Sequence, residues 1–329
     1  MVIEDKLKDI KKLIKKSKTI FIMAHKHLDL DALGSCLGMY EIIKSLHKES
    51  YIIIDEQDHE MGVSKVLKEI EGTYNIIPST EVPIYLNKNS RKNLLMILDT
   101  NKKDLVQSKN ILEYFPRKII IDHHELGRTS IKDAYLVINT KTSSTCEMIT
   151  NLLHSYQIEL TPYIYTIILS GIVIDTNNFT LKTSADTYYE AYFLTASGAS
   201  PKKVQYLLKQ DINDYAEQQK LLANVETINK KIAITKGTPY IIYRREDLAR
   251  IADTLLFFND IEASFVIGKI GKNTVGISAR SLGNYNISSI VTSLGGGGDA
   301  YNGAAVFENL PISEVLEKVK KELRKQEGE

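Results

Sequence analysis

Four short, nearly continuous apolar runs in the first half of the chain constrain its fold most. They are Thr19-Ile-Phe-Ile-Met-Ala24, Tyr51-Ile-Ile-Ile54, Asn93-Leu-Leu-Met-Ile-Leu98 and Lys118-Ile-Ile-Ile-Asp122. A strand with one wet face alternates apolar and polar residues, whereas a run without alternation is buried on both faces. Helical patterning separates the runs, as from Asp31 to about His47. Together they predict a parallel sheet covered on both faces. The first, third and fourth runs end in polar residues: His25, Asp99 and Asp122. In open parallel sheets ligands gather beyond the carboxyl ends of the strands, so these ends mark a candidate site.

The pattern then changes twice. From about Ser143 to Glu226 it is mostly helical, with helices predicted over 143–155, 162–174, 185–197, 201–209 and 213–227. Strand-like segments follow at 231–235, 239–243, 262–270 and 273–280, with helices over 245–256 and 311–325. The expected fold class is α/β: a parallel-sheet domain with flanking helices over 1–195, a helical linker over 196–228, and a smaller α+β domain over 229–329. A length of 329 residues suits two domains better than one.

Charge and composition exclude several classes. With 42 basic and 41 acidic side chains the net charge is +1, so neither wrapping of long nucleic acid nor an acidic tail is indicated. No window holds the roughly eighteen uncharged apolar residues that span a bilayer. The start, MVIEDKLKDIKKLIKKSK, is charged throughout and is not a secretory signal. Its spaced Ile3, Leu7, Ile10, Leu13 and Ile14 suit an amphipathic helix. Cys36 and Cys146 sit in apolar helical contexts without metal spacing and read as buried thiols of a reducing compartment. The expectation is a cytoplasmic protein, or the soluble part of something larger, without membrane contact of its own.

The chemistry-bearing residues recur at one inferred sheet edge. His25, Asp29 and Asp31 leave one loop between a strand and a helix. Asp99 ends a second run, Asp122-His123-His124 a third, and Asp175 closes the apolar segment Gly171-Ile-Val-Ile-Asp175. Each alone has an ordinary explanation: a helix cap, a turn, a surface imidazole, or a carboxylate paired with lysine. An unpaired carboxylate in the apolar helix would be costly, and a metal removes that cost. Carboxylates with imidazoles suit manganese, iron or zinc. Asp29, Asp31, Asp99 and Asp175 carry a formal −4, which two divalent cations would balance. Two such ions about 3.5–4 Å apart can activate water and clamp a phosphoryl group. There is no Gly-x-Ser-x-Gly elbow, no Walker loop and no Gly-x-Gly-x-x-Gly, so acyl transfer, nucleotide-triphosphate switching and hydride transfer lack support.

These residues, in this order, resemble the DHH phosphoesterase family, whose motif stands here as Asp122-His123-His124. The carboxyl-terminal part resembles the DHH-associated domain through Gly276-Ile-Ser-Ala-Arg280-Ser281 and Leu294-Gly-Gly-Gly-Gly298. Ser143-Ser-Thr-Cys-Glu147 and Asp175-Thr-Asn-Asn-Phe179 look like the GdpP-type cyclic di-AMP phosphodiesterase branch. The resemblance implies two manganese ions per chain, other divalent transition metals being possible. His25, Asp29, Asp99 and Asp175 would hold one; Asp31, Asp99, His123 and Asp175 the other. Asp99, His123, His124 and Asp175 would be catalytic, with His124 near substrate phosphate and Asp122 orienting the motif. Arg280, Ser281, Gly295, Gly296, Gly297, Gly298, Asp299 and Asn302 would contact substrate. Arg280 suits a phosphate clamp and the glycines a close backbone approach. Tyr285 and Tyr301 are candidates for stacking on adenine.

The implied reaction is hydrolysis of cyclic di-AMP to linear pApA in a cleft between the domains. Alternatives are a nanoRNA exonuclease or pAp phosphatase releasing AMP, or a catalytically weak cyclic-dinucleotide sensor. The implied partners are a cyclic or short linear adenine dinucleotide and a second copy of the chain. The implied location is the cytoplasm, or the cytoplasmic catalytic part of a membrane-anchored protein. Asp299 stands where the family has histidine. It repels phosphate and is expected to accept from a ribose hydroxyl or the adenine amino group instead, which would make the enzyme slow on pApA.

Overall fold

The computed structural model describes residues 2–55, 59–298 and 300–327. The chain divides into two compact units, Met1–Lys209 and Gln210–Glu329. The first carries β1 (Thr19–Met23), β2 (Glu49–Ile53), β3 (Ile76–Ile77), β4 (Asn93–Leu98), β5 (Lys118–Asp122) and β6 (Tyr135–Ile138). These form one parallel sheet in the order β3-β2-β1-β4-β5-β6. Its helices are α1 (Val2–Lys16), α2 (Leu30–Ser45), α3 (Met61–Glu69), α4 (Val82–Tyr85), α5 (Thr145–Tyr156), α6 (Pro162–Asp175), α7 (Ala185–Ala196) and α8 (Pro201–Leu207).

The apolar runs are buried on both sides, as their lack of alternation requires. Ile20 and Ile22 of β1 join Met96 and Leu98 of β4 in a core with α2, α5 and α6. Phe21 and Met23 point the other way, among Val82, Val106, Ile111 and Phe115. Strand order reverses between β1 and β4, and Met23 pairs in register with Ile97. That switch point opens a crevice at the carboxyl ends of the two strands, where His25 and Asp99 follow.

The second unit has α9 (Ile212–Ala223), β7 (Glu226–Ile228), β8 (Ile232–Lys236), α10 (Arg245–Leu255), β9 (Ala263–Gly271), β10 (Thr274–Ser281), α11 (Ile287–Ser293), β11 (Gly297–Gly298), β12 (Asn302–Glu308) and α12 (Ile312–Glu327). Its mixed sheet runs β11-β12-β10-β9-β8-β7, with β8 and β9 parallel and the other pairs antiparallel. Ile234, Phe265 and Ile277 face α11 and α12. Ala233 and Val266 face Leu221 of α9 and Leu248, Ile251 and Leu255 of α10.

Two local expectations give way. The segment 239–243 reads as a strand but forms one bridge, Ile242 to Lys269. Its Pro239 has no amide to donate to a ladder. The stretch 196–228, expected as a linker, splits between the units: Val204 and Leu207 pack into the first core and Leu221 into the second. Asp299 lies outside the described residues. Cys36 and Cys146 are buried and free. No helix among the described residues is long and apolar enough to cross a membrane.

Candidate metal centre

Four loops and helix ends converge at the switch point. Asp29 caps α2: one carboxylate oxygen accepts from the Ala32 amide at 2.8 Å, and Oδ2 lies 3.5 Å from His25 Nε2. The other face of His25 is fixed, since Nδ1 donates to the Lys26 carbonyl at 2.7 Å. Its Nε2 therefore faces Asp29 and Asp99, the latter at 3.3 Å. Asp31, in the first turn of α2 and fully buried, accepts from the amides of Thr145 (2.8 Å) and Cys146 (2.7 Å). It thus sits on the amino end of α5, where backbone N–H groups and the helix dipole favour negative charge.

Asp99 is the hub. Its backbone is left-handed, with φ 58°, a conformation that turns the chain directly after β4. Oδ1 accepts from Thr145 Oγ1 at 3.0 Å and lies 3.4 Å from His123 Nε2. Asp175 ends α6, where the negative pole of the helix disfavours a carboxylate. Its Oδ2 lies 3.2 Å from His123 Nε2. Potential ligand atoms gather in three overlapping groups: His25 with Asp29 and Asp99; Asp31 with His123 and Asp175; and Asp99 with His123 and His124.

One atom tests whether cations fit. His123 Nε2 is enclosed, yet makes no directed hydrogen bond among the described residues. Buried polar atoms are rarely left so. A divalent cation among His123, Asp99, Asp31 and Asp175 would satisfy it and offset the packed carboxylates. The donor set of imidazole and carboxylate fits such an ion.

Residues 19–172 match the model described as DHH family, N-terminal domain, and residues 229–328 match the DHHA1 domain. The chain belongs to the DHH family. It is 35% identical over 316 residues to the cyclic-di-AMP phosphodiesterase GdpP of Geobacillus thermodenitrificans, covering 94% of this chain and 48% of that relative. It is 25% identical over 312 residues to the bifunctional oligoribonuclease and PAP phosphatase NrnA of Thermus thermophilus, covering 93% of this chain and 90% of that one. An exopolyphosphatase-related protein from Bacteroides fragilis shares the fold, with a TM-score of 0.78 at 18% identity over 98% of this chain and 96% of its own. The chain spans about half the length of the cyclic-di-AMP phosphodiesterases it matches.

The DHH motif divides its labour. His123 enters the cluster, whereas Asp122 is fully buried and works through its neighbours. Asp122 Oδ1 accepts from the His124 amide (3.1 Å) and from His124 Nδ1 (2.8 Å), and Oδ2 accepts from Asn101 Nδ2 at 2.6 Å. His124, half exposed, is thereby held by its Nδ1. Sequence reasoning gave no role to Asn101 or Thr145. Both are uncharged, and only the place of Asn101 beside Asp122, and of Thr145 beside Asp99 and Asp31, signals their use.

In the DHHA1 domain, Arg280 is already engaged. Its Nε donates to Asp253 Oδ1 at 2.7 Å and its Nη1 to Ser278 Oγ and the Ala279 carbonyl. Ser281 Oγ accepts from the amides of Gly283 and Tyr285, shaping the turn after β10. Asn302 opens β12 opposite Arg280. The glycine run forms the β11 edge. A Cβ at Gly296 would meet the Ala304 carbonyl oxygen at 2.2 Å, and one at Gly298 that of Asn302 at 2.1 Å. Close backbone pairing thus accounts for these two glycines without a ligand.

Without cations the cluster holds protons. Burial opposes charge on His25, but Asp29 and Asp99 outweigh it and raise its pKa well above the ordinary imidazole value. His123 follows the same balance, with Asp99 and Asp175 pushing it up to about 9. Asp99 is held well below the carboxylate range: burial works against this, and His123 and His25 prevail. Burial raises Asp31 well above its usual value, reinforced by Asp99, Asp175 and Asp29. Burial likewise pushes Asp175 up to about 7, against the pull of His123. The protons that His25 and His123 hold at pH 7 must leave before a cation can bind there. Affinity for Mn2+ is therefore expected to rise from pH 6 toward pH 9, by roughly tenfold per unit for each proton displaced. Calorimetry in buffers of different ionisation enthalpy should record proton release at pH 7; a pH-independent affinity without release would contradict this charge balance.

Proposed function

We propose that the chain is a manganese-dependent phosphodiesterase that hydrolyses cyclic di-AMP to linear pApA. The observation that carries this reading is the convergence of six side chains (His25, Asp29, Asp31, Asp99, His123, Asp175) on one crevice, with a buried imidazole nitrogen left for a cation. Similarity to cyclic-di-AMP phosphodiesterases supports the substrate. We assign His25, Asp29, Asp99 and Asp175 to one ion and Asp31, Asp99, His123 and Asp175 to the other, so that Asp99 and Asp175 serve both.

When bound, the two ions supply charge neutralisation at the phosphate and acidify water. The remaining work falls to the chain. Asp122 fixes the His124 ring through Nδ1, which leaves Nε2 to hold a phosphoryl oxygen. Thr145 and the amino end of α5 hold Asp99 and Asp31 in place. One water oxygen adds to phosphorus, one P–O3′ bond breaks, and the 3′ oxygen takes a proton, leaving a 5′-phosphate and opening the ring. Arg280, Ser281, Gly295, Gly296, Gly297, Gly298, Asp299 and Asn302 are proposed as substrate contacts. A phosphate reaching Arg280 would use its remaining N–H groups or displace Asp253.

A second reading, release of AMP from short linear oligonucleotides, is favoured by the similarity to NrnA across 90% of that protein. Product analysis separates the two. Cyclic di-AMP is incubated with the chain and Mn2+, beside a chelator-treated control, and products are resolved by chromatography. Metal-dependent pApA is the expected main product. AMP as the main product would support the second reading, and unchanged cyclic di-AMP would overturn the first.

A further inference from the structure

A second feature of the first unit lies beside the metal-ligating residues and has no part in holding cations. It is a cleft of about 480 Å³ lined in part by Lys141, Thr142, Phe179, Lys182, Ser184 and Tyr188. Both of its walls are continuous with the metal centre. Residues 140–142 lead into α5, whose first amides hold Asp31; residues 179–188 follow directly from Asp175.

Three observations point to a planar, anionic ligand. Phe179 and Tyr188 stack with ring centroids 5.5 Å apart and an interplanar angle of 18°, and Tyr188 is 57% exposed. Neither Lys141 nor Lys182 has an ion-pair partner among the described residues, so the rim is positive. The wall is also strained at Phe179 and Lys182, left-handed at φ 63° and 48°, next to Asn177 and Asn178 at 44° and 61°. Side chains other than glycine and asparagine seldom adopt this conformation, and such strain concentrates at ligand sites. It sets Phe179 against Tyr188.

We infer that this cleft is a nucleotide subsite, in which a purine stacks on the Phe179–Tyr188 pair and its phosphate faces Lys141 and Lys182. This rests on the reading of the chain as a nucleotide phosphodiesterase and names where one of the substrate's two nucleosides is held. Stacking tolerates any base and is strongest for purines; the lysines make binding sensitive to salt.

The test uses the full chain with Mn2+ and two readouts. Tyr188→Ala and Lys182→Ala, both at exposed positions, should each raise KM for cyclic di-AMP by about 10-fold with kcat within about twofold. Tyr188→Phe should behave as wild type, and so should Tyr192→Ala, an exposed position of the same helix outside the cleft. The second readout is independent of turnover. The fluorescence of 2-aminopurine riboside 5′-monophosphate should be quenched by the wild-type chain, with quenching lost in Tyr188→Ala and its midpoint shifted about 10-fold in Lys182→Ala. If the wild type leaves cyclic di-AMP intact, the phosphodiesterase reading fails and the quenching alone decides the subsite. Unchanged KM in both alanine variants, or wild-type quenching in Tyr188→Ala, would overturn it.

Discussion

Asp99→Asn is expected to lower turnover of cyclic di-AMP by roughly 10^3-fold while leaving the chain folded. Asp99 is 3.3 Å from His25, 3.4 Å from His123 and hydrogen-bonded to Thr145, so both proposed cation positions depend on it. Asparagine has nearly the same shape and tolerates the left-handed backbone that this position needs, φ 58°. The fold is therefore spared. What disappears is one negative charge and one oxygen, at the position proposed to serve both cations. Ligand linkage gives a second readout. Mn2+ at a hundred times its Kd stabilises a folded protein by about 2.7 kcal/mol, and most of the corresponding rise in Tm should vanish in the variant. Activity within tenfold of wild type would show that Asp99 does not hold the reacting centre.

Gly171→Ala is expected to damage stability and turnover together, through a residue that touches no substrate. α2 and α6 approach closely where Gly171 faces the start of α2. An added Cβ would lie 2.6 Å from Cys146 Sγ, 2.8 Å from Asp31 Cα and 3.0 Å from Asp31 Oδ1. Two of these are contacts to Asp31, one of them to backbone, so the neighbour that must move is a proposed metal ligand. Overpacking of this kind costs about 3 kcal/mol, and the helix preference of alanine over glycine returns about 1 kcal/mol. A net loss near 2 kcal/mol corresponds to a Tm about 4–8 °C lower for a unit of this size. Displacing Asp31 by a fraction of an ångström should reduce turnover by roughly 10^2-fold. Adding Cys146→Ala relieves the sulfur contact but not those to Asp31, so stability should recover further than activity. Melting and steady-state rates of the single and double variants measure both. Wild-type behaviour of Gly171→Ala would refute the close packing described at this junction.

The parts of the fold that are legible in the sequence are those where one physical constraint dominates. β1, β4 and β5 are unbroken apolar runs because both sheet faces are covered, and the polar residues at their ends single out His25, Asp99 and Asp122 from the sequence alone. α6 is legible because Pro162 starts it and ten buried residues follow before Asp175. β12 is not: Gly303, Ala304 and Ala305 have little strand preference, and pairing with β10 and β11 makes the strand. Nor is β3, which is two residues long. In the site, charged ligands stand out because charge in an apolar context needs a reason. Thr145 and Asn101 do not, because a threonine at a helix start or an asparagine after a strand is ordinary until its partners are known. The same holds for the Phe179–Tyr188 cleft, which depends on backbone conformation at 177–182.

The central claim is that one crevice of the first unit holds two cations and does the chemistry with them. The most direct measurement is a titration of the metal-stripped chain with Mn2+ that follows bound metal by equilibrium dialysis and cyclic di-AMP hydrolysis in the same samples. Binding should reach two ions per chain, with turnover appearing as the second site fills. Hydrolysis by the stripped chain, or full turnover with a single bound ion, would contradict it.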